Sequence, residues 1–231
     1  MSARHGAALV AIAALISGPI AMALVGAVHP QPAWDGAARF AHELHPIQLF
    51  PYLTGLGLVA GFVVLVAGLH ARAPSARTAA ALVFVGIYGA MVTLNYVLQT
   101  TFVPALASRY TPADDSMISA LTMSNPRSLA WALEMWGYGM SGVATWLCAS
   151  AIGGRAGAAL IVNGVVSIAG ALWTVAQPGW VMTPVGLVMF AAWNGVIVIA
   201  AVLVWIAPSG RARIGGDAPT RVDHPAAVGV R

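Results

Sequence analysis

Glu134 is the side chain with the most chemistry open to it. It stands in the stretch NPRSLAWALEMWGYGMSGVATWLCAS, residues 125–150, between Trp131 and Trp136, and it is the one charged residue there after Arg127. An acid inside an apolar helix can exchange protons, hold a cation, or act as a general acid or base. It can also serve only as a hydrogen-bonded tie between helices, a contact worth about 0.6 kcal/mol on average in one well-studied bundle. Trp131, Glu134, Tyr138, Ser141, Thr145 and Cys148 recur at intervals of three and four, which puts them on one helix face. Tyr88, Val92, Asn95 and Gln99 form a second stripe with the same kind of spacing. The second stripe predicts an apposed helix whose amides lie at the depth of the acid. Tyr52 and Thr54 reach a similar level from a third helix. The expected ligand-binding set is Glu134, Tyr138, Asn95, Gln99, Trp131 and Tyr88, around a polar pocket that opens outward.

Other chemistry is sparse. His42 and His45 are three residues apart in AHELHP, whereas the H-E-x-x-H metal motif needs histidines four apart. A metal there would need a further ligand from Asp35, Asp114 or Asp115, so no metal is expected, and no cofactor. The single cysteine, Cys148, excludes an intrachain disulfide and a multi-cysteine zinc site. No nucleotide loop, Ser-His-Asp set or charged gating helix can be read, which disfavours a primary pump. Asn194 has two readings, a member of the pocket or a bridge between helices, with the bridge favoured, and Asn163 reads in the same way.

The elements that must position these residues follow from composition. The chain is 59% hydrophobic and only 8% charged, against about a quarter charged in soluble domains. Lipid must therefore cover its surface, and the fold class is all-α: a polytopic bundle of six transmembrane helices. The apolar segments cover residues 6–28, 46–69, 78–106, 126–152, 156–176 and 184–206. Asn125-Pro126 and Thr183-Pro184 read as helix starts, and Gly18-Pro19 predicts a kink in the first helix. The long loops, 29–45 and 107–125, are each expected to hold a short interfacial helix.

All 11 basic residues are arginines. Six spans put Arg4, Arg72, Arg77, Arg155 and the four tail arginines on one side, and Arg39, Arg109 and Arg127 on the other. That excess predicts both termini in the cytoplasm. It also accounts for the net charge of +4 without a nucleic-acid partner. The expected division is a transmembrane domain over 1–206 and a disordered basic cytoplasmic tail over 207–231. The small residues Gly57 and Gly61, and Gly137 with Ser141, predict close helix contacts, including a candidate homo-oligomer interface.

The segments LNYVLQTTFVP and NPRSLAWALEMWGYGMSGVATWL resemble uncharacterised bacterial six-helix integral membrane proteins. The resemblance covers about a quarter of the chain and implies a multi-pass inner-membrane protein without supplying an activity. The expected function is binding or transport of a small cationic or protonatable ligand at Glu134. The alternatives are a membrane-embedded enzyme that uses Glu134 as acid or base on a lipid or isoprenoid, and a structural or accessory subunit. The lipid bilayer is the one partner that composition requires.

Overall fold

In an apolar solvent every backbone N–H and C=O must bond within its own segment, so runs this apolar become helices. The computed structural model describes residues 2–30 and 33–207 and is all-helical over them. Apart from Ala207, the segment expected to be a disordered tail lies outside the described residues. The helices are α1 (Ala3–Val28), α2 (Ala37–Glu43), α3 (Pro46–Arg72), α4 (Ala76–Ala107), α5 (Asp115–Leu121), α6 (Leu129–Cys148), α7 (Gly154–Ala176) and α8 (Pro184–Ile206). Five of them, α1, α3, α4, α7 and α8, are long and apolar enough to cross a membrane. Short helices α2 and α5 lie in the two long loops, and both pack against the end of α4.

The six long helices form a ring. Around it, α1 packs on α3, α3 on α4, α4 on α6, α6 on α7, α7 on α8, and α8 closes on α1. The centre is filled by a row of aromatic rings rather than a channel. Phe62 of α3 meets Tyr88 of α4 edge-on at 5.6 Å, Tyr88 meets Tyr138 of α6 at 5.4 Å, and Tyr138 meets Trp193 of α8 edge-on at 4.8 Å. The outside is apolar: Val83, Val175, Val185 and Val188 are all more than 60% exposed, as lipid-facing side chains should be.

Two contacts depend on glycine. A Cβ on Gly61 would sit 2.8 Å from the backbone nitrogen of Val10, so α1 and α3 approach as closely as they do because Gly61 has none. Gly142 and Gly164 do the same for α6 and α7, since a Cβ on either would come within 2.9 Å of the other's carbonyl oxygen. Gly57 also faces α1, at Ala13. The close helix contact expected of Gly57 and Gly61 is thus made between α1 and α3 of the same chain.

The start of α6 differs from the expectation. The helix begins at Leu129, where the Ser128 hydroxyl accepts from the Trp131 backbone N–H at 3.0 Å, and not at Asn125-Pro126. Asn125 is otherwise engaged: its carbonyl accepts from Arg127 N and its amide donates to the Ser119 carbonyl. Glu134 therefore lies only about 7.5 Å along the helix axis from its first residue. The Thr183-Pro184 start is as expected, with the Thr183 hydroxyl accepting from Gly186 N at 3.0 Å.

Prolines widen two helices. The Gly18-Pro19 kink takes the form of a π turn over Ile16–Ile20. A second π turn, over Leu98–Phe102, precedes Pro104. Proline lacks the amide hydrogen for the carbonyl four residues back, and its ring crowds that carbonyl, so the turn opens. The Thr100 and Thr101 hydroxyls donate to the carbonyls of Tyr96 and Val97 in the widened stretch.

Candidate functional site

The two stripes read from the sequence face each other. Both oxygens of Glu134 accept hydrogen bonds from α4: Oε2 from Asn95 Nδ2 at 3.0 Å, and Oε1 from the Tyr96 hydroxyl at 2.7 Å. The Tyr96 and Tyr138 hydroxyl oxygens are 3.1 Å apart. The groups that hold the carboxyl are therefore neutral. The two ion pairs seen among the described residues both belong to Arg39, with Asp35 and Glu43 on the long-loop face.

The network has a fixed direction. Gln99 Oε1 accepts from the backbone N–H of Met123 at 2.9 Å, and Gln99 Nε2 donates to the Leu121 carbonyl at 2.7 Å. The same Nε2 donates to Asn95 Oδ1 at 3.2 Å. That leaves Asn95 only its Nδ2 for Glu134, with a further contact from Nδ2 to Met123 Sδ at 3.2 Å. A backbone amide can only donate and a carbonyl can only accept. Residues 121–123 thus set the orientation of Gln99, Gln99 sets Asn95, and Asn95 presents a donor to the acid. Gln99 lies within the π turn before Pro104, which places it where α4 meets the loop after α5.

Four of the six expected residues, Glu134, Asn95, Gln99 and Tyr138, join this network. Tyr88 is fully buried and meets it through the ring of Tyr138. Trp131 is buried in an adjoining cluster with Met123, Ala130, Trp180 and Val181, and its indole N–H has no hydrogen-bond partner. Thr54, expected at this level, bonds back to the carbonyls of Phe50 and Pro51 in its own helix. Tyr52 does reach the site, with its ring 5.7 Å from that of Tyr96. Tyr96 itself escaped the sequence reading because it lies one residue, about 100°, round from Asn95. The sequence signal was its adjacency to Asn95: two neighbouring polar positions widen the stripe.

A recess on the long-loop face borders the network. Gln48, Tyr52, Gln99 and Thr122 line it, with a cavity volume of about 10 Å³, room for one water. A second recess of about 20 Å³, lined by Trp34, Arg39, Glu43 and Gln48, adjoins it.

The histidines of the first long loop are held locally. His45 stacks on His29 at 4.9 Å and accepts from Ile47 N through Nδ1, while His29 Nε2 lies 3.0 Å from the Glu43 carbonyl. Among the described residues, no three His, Cys, Asp or Glu side chains come together to hold a metal ion.

Asn163 ties two helices, whereas the Asn194 amide donates back to the Phe190 carbonyl of its own helix at 2.9 Å. Asn163 of α7 donates to Thr145 of α6 at 3.1 Å, and Asn194 of α8 packs on Gly18 of α1, where an added Cβ would lie 2.8 Å from Asn194 Oδ1. No protein-family model, curated protein or solved structure matches the chain.

Proposed function

We propose that the chain is a six-span inner-membrane protein with both ends in the cytoplasm, whose Glu134 binds or moves a small cationic or protonatable ligand reached from the long-loop side. The carrying observation is the coordination of the acid: both of its oxygens are held by neutral donors, Asn95 and Tyr96. A carboxyl held this way is pre-oriented without being neutralised, which leaves its charge for a ligand or a proton. Helix α6 is the sixth span in this reading, since it packs lengthwise between α4 and α7.

The test is uptake of alkylamines by proteoliposomes holding the full chain, measured across a pH series. Glu134→Gln keeps the side-chain volume and can bond to both Asn95 and Tyr96, and it is expected to abolish the pH-dependent part. Wild-type uptake by that variant would refute the reading.

One contact favours a second reading. The Tyr96 hydroxyl touches both Glu134 and Tyr138, an arrangement suited to an acid–base pair in a membrane-embedded enzyme acting on a lipid or isoprenoid. Product formed from such a substrate in detergent would separate it from transport. Normal function of Glu134→Gln would favour a structural subunit instead.

A further inference from the structure

The ring closes along only half its length. In the half nearer the chain ends, α1 and α8 are tightly paired: Arg4 donates to the Ala207 carbonyl, and Gly18 packs on Asn194. The same antiparallel register, continued outward, would set Val25 against Leu187. It is not continued. Past the π turn at Ile16–Ile20, the Ala21–Val28 part of α1 rests on the start of α3 and makes no comparable contact with α8. Val25 is buried, while Leu187 is 46% exposed and Val188 70%. On α1, Met22 is 54% exposed and Leu24 38%. Pro19 opens the turn, and the two helices part there.

The stretch of α8 that α1 leaves carries residues that border the site. At the closed end of the parting stand Asn194, 9% exposed, and Trp193, which is half-buried and edge-on to Tyr138. Phe190 of α8 and Tyr52 of α3, both half-buried, pack against the cluster around Trp131. Trp131 is 7% exposed, and its buried indole N–H is unpartnered one helical turn from Glu134.

We infer that the gap between Ala21–Val28 of α1 and the first half of α8 is a lateral portal, through which an apolar-tailed amine enters from the lipid phase and sets its head group at Trp131 and Glu134. The apolar side chains that flank the gap suit the tail. A neutral amine carries a lone pair for the indole N–H, which can only donate, and N–H groups for the carboxylate. Once protonated it is held by the carboxylate and by the faces of the surrounding aromatic rings. The inference rests on Glu134 being the ligand's counter-group; it keeps entry in the long-loop half of the bundle, takes it from the lipid between α1 and α8, and adds the tail.

The experiment uses the full chain in lipid nanodiscs, with Cys148→Ala and a single nitroxide attached at Phe190→Cys or Trp193→Cys. Val188→Cys and Val92→Cys serve as lipid-facing and sealed references, being 70% and 0% exposed. Collision with oxygen reports lipid, and collision with a water-soluble nickel chelate reports water. The expected result is oxygen access at 190 and 193 close to that at 188, with little access to nickel. Dodecylamine should then remove the oxygen access at 190, ethylamine should not, and Glu134→Gln should abolish the dodecylamine effect. Access as low as at 92, or strong access to nickel, overturns the portal. No dodecylamine effect alongside Glu134-dependent ethylamine uptake overturns the lateral route and leaves the ligand reading standing. Glu134-independence for both amines overturns both.

Discussion

Exchanging donor and acceptor between Asn95 and Glu134 probes the directional network at its centre. Asn95 cannot turn over, because its Oδ1 is held by Gln99, and Gln99 is held by the backbone of 121 and 123. In Glu134→Gln the new amide must therefore turn its oxygen to Asn95 Nδ2 and its nitrogen to the Tyr96 hydroxyl, which can accept while it donates to Tyr138. The expected cost is that of exchanging charge-assisted bonds for neutral ones, up to about 1.5 kcal/mol. Asn95→Asp sets a second carboxyl 3.0 Å from Glu134, with a repulsion of about 5.5 kcal/mol at an effective dielectric of 20 unless one of the pair takes up a proton. The double variant restores one donor and one acceptor in exchanged places, and Gln99 still has an oxygen to bond. It should be more stable than Asn95→Asp alone, with a favourable coupling of about 3 kcal/mol, at the upper end for contacting pairs. Stability is read from SDS-driven unfolding in mixed micelles for all four proteins. Additive costs, with coupling under about 0.5 kcal/mol, would refute the fixed direction.

Three further outcomes are expected. Gln99→Leu removes both bonds to residues 121–123, so backbone hydrogen exchange there should rise at Met123 while α7 and α8 remain protected; unchanged exchange would count against Gln99 as the anchor. Tyr96→Phe leaves Glu134 Oε1 without its 2.7 Å donor and should cost about 1.5–3 kcal/mol in the same unfolding assay, against near-neutrality if the hydroxyl bonds chiefly to Tyr138. Gly61→Leu forces α1 off α3 and should cost about 1–3 kcal/mol or more, whereas Gly26→Ala, with open space around its added Cβ, should be neutral or stabilising by up to about 1 kcal/mol; equal effects would refute the close approach at Gly61.

The helices were legible because in lipid the apolar run and the helix are nearly the same thing. The polar layer was legible for a related reason: with so few polar side chains in the spans, two stripes of period 3.6 had few other places to meet. Legibility failed where a residue's role depends on a partner remote in sequence. Adjacency to Asn95 marks Tyr96 as a neighbour of the stripe, but it does not name the partner of its hydroxyl, Glu134, 38 positions on. Gln99 was placed correctly at the level of the acid, but its anchor is the backbone of Leu121 and Met123, which carries no side-chain signal. The start of α6 was misplaced because Asn125-Pro126 has the composition of a cap, while Asn125 is committed to Ser119 and Arg127. The gap beside α8 could not be read at all, since periodicity gives the faces of a helix and not whether two helices part.

The meeting of the first and last helices has a consequence for how the protein is made. Ribosomal synthesis delivers α1 first and α8 last, yet these two close the ring. The face of α1 that receives α8 must therefore wait, as the intervening helices insert, with lipid or an insertase in place of its partner. Ring closure has to wait for α8, and it brings Arg4 to the Ala207 carbonyl. A nascent chain stopped after α7 would be an open crescent, with most of its interhelical contacts formed and the α1 and α7 faces that receive α8 left bare. Supplying α8 as a separate peptide should complete it, which makes this bundle a natural candidate for split-protein complementation.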